Sequence, residues 1–320
     1  MNINRTVSLA VASVLWISLS EGLAKEKGGK GGGGDAHTKK GIELLQQKQI
    51  EPAIAEFTQA IQADPGNPRY YCNRGTALRA AGKFPEAMAD FSKAVQIAPK
   101  DYLGYFERGQ TLVAQNQFEP GLAELDKALE LQPGDGGTLK FRGFAWIGRT
   151  EWDKAIADFT ASIEKIPTDP QSYERRAYAY RSLALTSHGD VTVSAKNFDA
   201  AVADYNKAIE LAPNNADYWA KRGYTYSLMQ QYEKAIPDYE QAMKLNPNDI
   251  DTPQRLQYAR GMLAARNAPP PAPAPTPEKP GLITPLNLGI ALAVIIIIAV
   301  VVRMVTRGKV ETPSSSTRIR

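Results

Sequence analysis

The sequence predicts an all-α superhelical solenoid of six antiparallel helix pairs, followed by a carboxyl-terminal capping helix and one transmembrane helix. Three observations carry that prediction. Pro65, Pro99, Pro133, Pro167, Pro213 and Pro247 recur at intervals of 34, 34, 34, 46 and 34 residues, and a fixed period in this range marks a repeat array. Two residues after each proline stands Asn67, Asp101, Asp135, Asp169, Asn215 or Asp249, a helix N-cap type placed just beyond a residue that stops the preceding helix. Small residues recur 24 positions before the proline (Gly41, Gly75, Gly109, Gly143, Ala177, Gly223) and 12 before it (Ala53, Ala87, Gly121, Ala155, Ala201, Ala235). Two helices approach closely where side chains are small.

The elements follow in chain order. Residues 1–24 hold Arg5, a 13-residue apolar run from Val7 to Leu19, and Gly22-Leu23-Ala24. That is the pattern of a signal peptide, with an uncleaved signal anchor as the alternative. Residues 25–33 are a flexible segment rich in glycine and lysine, without the G-x-x-x-x-G-K-[ST] order of a phosphate loop. Six units then occupy 34–249: 34–67, 68–101, 102–135, 136–169, 170–215 and 216–249, the fifth carrying 12 extra residues. In the second helix of each unit Phe57, Phe91, Leu125, Phe159, Tyr205 and Tyr239 are followed three residues on by Ala60, Ala94, Ala128, Ser162, Ala208 and Ala242, one apolar face at helical spacing. The extra residues, with Ser187, Gly189, Val191 and Val193, predict a loop protruding over 183–196, with a helical extension as part of it.

A capping helix is expected over 250–266, with Leu256, Tyr258, Met262 and Leu263 covering the last unit. Residues 267–281 hold seven prolines and form a semi-rigid spacer. Residues 282–302 are the expected transmembrane helix. The tail 303–320 starts with Arg303, Arg307 and Lys309, which places it on the cytoplasmic side and the repeats outside, as a single-pass protein of the cell envelope.

With these residues in view, the chain closely resembles the tetratricopeptide repeat family. Its pattern has an apolar or aromatic residue at position 4, small residues at 8, 20 and 27, aromatics at 11 and 24, and proline at 32. The match covers about 34–249. His37 departs from it at position 4 of the first unit and Ser162 at position 27 of the fourth. The resemblance implies a concave side, lined by positions 2, 5, 9, 12 and 13 of each first helix, that holds an extended peptide or a partner helix. Those positions include Arg79, Phe106, Gln110, Lys140, Phe144, Glu174, Tyr178, Arg181 and Tyr224, and the aromatics among them with the nearby cations point to an acidic ligand. The family's clamp for a chaperone carboxyl terminus needs residue types that Thr38, Ile42, Leu103 and Glu107 do not supply, and only Asn73 fits.

Composition narrows the function. Residues 25–280 hold 32 basic and 32 acidic side chains, so no basic footprint for nucleic acid is present in sequence. A single cysteine, Cys72, forms no internal disulfide. Two histidines, His37 and His188, are too few and too separated for a zinc site, and no cofactor motif is found. Ser187, His188 and Asp190 in the fifth unit are read as loop residues rather than a catalytic triad, since a triad is a matter of spatial geometry. The expectation is a non-enzymatic, membrane-anchored interaction scaffold. The alternatives are a tail-anchored receptor with cytosolic repeats and, less favoured, an enzyme centred on the fifth-unit insertion. Position 7 is basic in all units (Lys40, Arg74, Arg108, Arg142, Arg176, Arg222) and position 23 acidic (Glu56, Asp90, Glu124, Asp158, Asp204, Asp238), which predicts a repeated ion pair within each hairpin.

Overall fold

The computed structural model describes residues 33–187, 189–269 and 285–307. The expected signal peptide at 1–24, nearly all of the glycine-rich segment, His188, most of the proline-rich spacer and most of the 303–320 tail lie outside the described residues. Fourteen helices occupy the described residues, in two units divided at Arg266. The first helix of each pair is α1 (Gly34–Gln46), α3 (Pro68–Ala80), α5 (Tyr102–Ala114), α7 (Gly136–Gly148), α9 (Pro170–Thr186) and α11 (Ala216–Leu228). The second is α2 (Ile50–Ala63), α4 (Phe84–Ile97), α6 (Phe118–Leu131), α8 (Trp152–Lys165), α10 (Val191–Leu211) and α12 (Tyr232–Leu245), and α13 (Asp251–Asn267) ends the stack.

Capping is uniform. Asn67, Asp101, Asp135, Asp169, Asn215 and Asp249 each accept a hydrogen bond from a backbone N–H in the turn that follows, at 2.7–3.2 Å. Each satisfies a donor that the start of a helix leaves unpaired. Inside a pair, the position-8 glycine lies against the ring or branch of position 24. A Cβ on Gly75 would stand 2.5 Å from Phe91, and one on Gly109 2.7 Å from Leu125. Phe57, Phe91, Leu125, Phe159 and Tyr205 are fully buried by this contact, and Tyr239 nearly so. Ser162, the fourth unit's departure from alanine, is buried and donates to the Gly136 carbonyl at 2.8 Å, so its hydroxyl is satisfied.

The ion pair recurs in every unit. Lys40 meets Glu56 at 2.6 Å, with His37 on the same carboxylate at 2.7 Å. Arg74, Arg142, Arg176 and Arg222 hold Asp90, Asp158, Asp204 and Asp238 in two-pronged contacts of 2.6–2.8 Å, and Arg108 holds Glu124 in the same way. A planar guanidinium fixes a carboxylate's direction as well as its distance. In four units the free Nη1 reaches back to the second helix of the preceding unit: Thr58 at 3.4 Å, Asp126 at 2.9 Å, Thr160 at 3.0 Å and Asn206 at 2.7 Å. One arginine therefore joins the helices of its own pair and joins that pair to its neighbour.

First helices of successive units touch through the fifth unit (α1 with α3, α3 with α5, α5 with α7, α7 with α9), a contact that second helices do not match. Through the fifth unit the stack is thus closer on the first-helix side. Position 15, between the helices of a pair, has positive φ in five units: Lys48, Gly82, Asn116, Thr150 and Gln230.

Two expectations need correction. The extra residues of the fifth unit form the helical extension expected within 183–196, but not the long loop. They lengthen α9 to 17 residues and α10 to 21. Asp190 caps α10 through Thr192 and Val193 N–H at 3.0 Å, and the Ser194 hydroxyl donates to the Ala184 carbonyl at 2.9 Å, which ties the two extensions together.

The second correction concerns the carboxyl-terminal unit. There α14 (Pro285–Arg307) is a helix whose leucine, isoleucine and valine side chains from Leu288 to Val302 are exposed. Among the described residues, however, no helix is long and apolar enough to cross a membrane. The run free of polar side chains, Leu288–Val302, has 15 residues, about 22 Å of helix against a hydrocarbon layer of about 30 Å. The transmembrane helix expected over 282–302 is therefore not supported. With it go the single-pass localisation, the exterior placement of the repeats and the cytoplasmic placement of the tail.

In the capping helix Leu256 and Ala259 are buried against Tyr232, Ala235 and Tyr239. Tyr258 and Met262 are exposed, with Tyr258 meeting Tyr232 edge-on at 6.4 Å.

Candidate functional site

The nine residues expected on the inner face all lie on first helices. In the first half, Arg79 is 2% exposed; its Nη1 is 2.7 Å from Glu107 Oε2 and donates to Thr111 Oγ1 at 3.0 Å. Gln110 is buried as well. Position 5 is buried at Thr38, Cys72, Lys140 and Glu174, so much of the expected lining is sealed between neighbouring first helices. Burial pushes the Cys72 thiol up, which leaves it a protonated packing group.

The middle of the array is aromatic. Phe106 meets Phe141 edge-on at 5.7 Å, and Phe144 stands 5.6 Å from both Phe141 and Phe159. Phe106 and Phe144 are only partly buried, so this row ends at the surface. Lys140 is buried with Nζ 3.2 Å from Asp169 Oδ2, the cap of the next unit.

Farther along, the structure brings together Phe144, Glu174, Tyr178, Arg181 and Tyr224. The Arg175 guanidinium lies 5.3 Å from the Phe144 ring centre. Arg181 lies 5.4, 5.8 and 5.1 Å from the ring centres of Tyr178, Tyr205 and Tyr224, and Arg255 lies 4.9 Å from that of Tyr224. Cations over π faces are attracted, and more strongly where water is excluded. Glu174 is 2% exposed, with Lys221 Nζ at 2.7 Å and Arg175 Nε at 3.0 Å. Burial pushes the Glu174 carboxyl up, but Arg175, Lys221 and Arg181 together outweigh it, so its pKa is lowered and the group is ionised. Burial pulls the Lys221 ammonium down, and Glu174 and Asp217 more than restore it. Burial pushes the Tyr205 phenol up to about 12.

Tyr205 and Arg255 were not among the residues expected here. Tyr205 reads as core from its position 24, and Arg255 lies on the capping helix, outside the repeat pattern. No repeat position signals Arg255, which reaches the site through the Tyr224 ring.

In the fifth-unit turn Ser187 donates to the Ala184 carbonyl at 2.9 Å and Asp190 is occupied as a cap. A cleft of about 470 Å³ lies beside them, walled by Leu185, Val191, Phe198 and Met229. Of its polar groups, Ser187 and Ser194 donate to the Ala184 carbonyl and Asp190 caps α10.

Comparison with known proteins follows this geometry. Residues 38–102 and 216–249 match models described as tetratricopeptide repeat, and 189–230 one described as TPR repeat. No curated protein matches the chain. Among solved structures the APC/C hetero-tetramer Cut9-Hcn1 aligns at 17% identity and TM-score 0.62, over 78% of this chain and 46% of that one. The chain thus spans less than half the length of that relative. PilW, described as a widely conserved type IV pilus biogenesis factor, aligns at 18% identity and TM-score 0.60, over 71% of this chain and 98% of that one. Pseudomonas aeruginosa pilF aligns at 16% and 0.58, over 71% and 96%. At these identities the likeness is one of fold.

Proposed function

We propose that this chain, whose repeats are tetratricopeptide repeats, is a non-enzymatic scaffold that holds a partner protein against the inner face of its second half. The partner presents acidic side chains or an acidic end. The observation that carries the reading is the concentration of partly buried aromatics and cations on neighbouring first helices: Phe144, Tyr178 and Tyr224 with Arg175, Arg181 and Lys221. Large, stiff rings that are already half desolvated give contact area at small entropic cost, and cations among them select for negative charge. In the first half Arg79 joins the second unit to the third and Gln110 is buried, and Lys140 reaches the cap of the fifth unit.

The test places a photo-crosslinking phenylalanine at Tyr178 on the inner face and, in a second variant, at the exposed Ser92 on α4, in the native host. Adducts are expected from Tyr178 and not from Ser92. Equal capture from both sites, or capture from Ser92 alone, would refute an inner binding face.

A further inference from the structure

Two arginines stand at position 12, Arg79 in the second unit and Arg181 in the fifth, and the frame around them is the same. Each directs Nη1 to the backbone carbonyl at position 6 of the following unit, Glu107 at 3.3 Å and Lys221 at 3.5 Å. In each, a buried threonine at position 10 of that unit donates to the same carbonyl, Thr111 at 2.7 Å and Thr225 at 2.9 Å. Each lies near the position-24 ring of its own unit, Phe91 at 5.5 Å and Tyr205 at 5.8 Å.

The side chains that fill the two frames differ in a consistent direction. The first site carries its own anion, the Glu107 carboxylate 2.7 Å from Arg79. At the second, position 6 is Lys221, whose ammonium turns to Glu174 and Asp217. Among the described residues no carboxylate lies within ion-pair distance of Arg181, although it is only 8% exposed. The change from Phe91 to Tyr205 adds a hydroxyl that is buried without a hydrogen-bond partner. Glutamate has become lysine and phenylalanine has become tyrosine. One change removes an anion and the other adds a donor. Glu174 feels the Arg181 charge but is already held by Arg175 and Lys221; a buried guanidinium without a direct ion-pair partner is costly, and the three tyrosine faces offset only part of that cost.

We infer that Arg181, Lys221 and the Tyr205 hydroxyl form a receptor for a carboxylate carried by the partner, occupying the place that Glu107 fills beside Arg79. The inference rests on the reading of the inner face as the binding face. It adds the group recognised and the residues that recognise it.

The probe is an oligoglutamate peptide with an amino-terminal fluorophore, titrated by anisotropy against the full chain. It is compared with the same peptide amidated at its carboxyl end and with a Gly-Ser peptide ending in a free carboxylate. Arg181→Gln is expected to weaken oligoglutamate binding by about tenfold or more, and Tyr205→Phe by a fewfold. Lys221→Glu, which rebuilds the self-filled site, is expected to act like Arg181→Gln. Lys93→Gln, one exposed charge lost on α4, should leave binding unchanged.

Thermal melts identify a misfolded Arg181 variant, in which case the more exposed Lys221 position carries the test. Equal binding of acid and amide assigns the site to acidic side chains, whereas binding of the Gly-Ser acid assigns it to a chain terminus. No binding to the wild-type chain, or wild-type affinity in both Arg181→Gln and Lys221→Glu, would overturn the inference. If partner crosslinking from Tyr178 persists in those variants, the binding face stands and only the carboxylate receptor falls.

Discussion

The seam within and between hairpins repeats unit by unit, whereas the inner face changes from one unit to the next. On the seam, position 7 meets position 23 in every unit, at 2.6–2.8 Å in four of the five arginine cases, and position 8 is small against a buried position 24. On the inner face, position 9 runs Ile42, Thr76, Gln110, Phe144, Tyr178, Tyr224, and the position-12 arginines carry opposite charges at their neighbouring position 6. A constant seam is what stacking requires, since each unit must dock on the next in the same way. Variation on the other face is therefore free to encode a ligand.

The comparison can be broken most forcefully at Phe159, which is fully buried at position 24, and Phe144, which is half-buried at position 9. Phe159→Ala is expected to cost about 3–5 kcal/mol in urea unfolding, and Phe144→Ala less than half as much. Equal losses would mean that Phe144 belongs to the core. Next comes the ion pair. A double-mutant cycle on Arg142 and Asp158, whose side chains are 26% and 8% exposed, should give a coupling of about 1–2 kcal/mol, reduced by the exposure of the arginine. The same cycle on the exposed pair Arg149 and Glu119 should give less than about 0.5 kcal/mol. Additive effects at Arg142 and Asp158 would reduce the repeated pair to a surface decoration.

Smaller effects sharpen the contrast. Thr150 holds φ 59 at position 15, where a β-branched side chain is strained. Thr150→Gly should stabilise the chain by roughly 0.5–1 kcal/mol, and an unchanged denaturation midpoint would show that the turn carries no strain. The smallest effect is acid sensitivity at Glu174. Its folded-state pKa lies below the ordinary 4.5, so the ionised carboxylate contributes its full stability above that value and loses it as pH falls through the folded-state pKa. Stability measured from pH 7 to pH 3 should therefore fall less steeply in Glu174→Gln than in wild type. Parallel curves would contradict the inner ion cluster.

The repeat was legible because its determinants are local or strictly periodic. Pro65 and its successors, the N-caps from Asn67 to Asp249, and the glycines at position 8 each state a backbone requirement at a fixed spacing. The position 7 to position 23 pair was legible for the same reason. The fifth-unit insertion was legible only in part, because Val191 and Val193 argue against helix individually, and although the Asp190 cap is local, the Ser194 bond to Ala184 depends on two helices already lying side by side. The inner face was legible only in outline. Sequence position placed Arg79 and Arg181 on one face, but only the next unit's residue at position 6 decides whether an arginine there is neutralised. The left-handed turn at position 15 was missed because Gly82 alone announces it, while Lys48, Asn116, Thr150 and Gln230 adopt it without glycine. The apolar run before Arg303 misled through its length, since the uninterrupted stretch is 15 residues.

Hydrogen exchange of the full chain with and without saturating oligoglutamate tests the central claim most directly. Added protection is expected on α7, α9 and α11, spanning 136–148, 170–186 and 216–228, with α2, α4 and α6 unchanged. Protection centred on those second helices, or on α1 and α3, would contradict it.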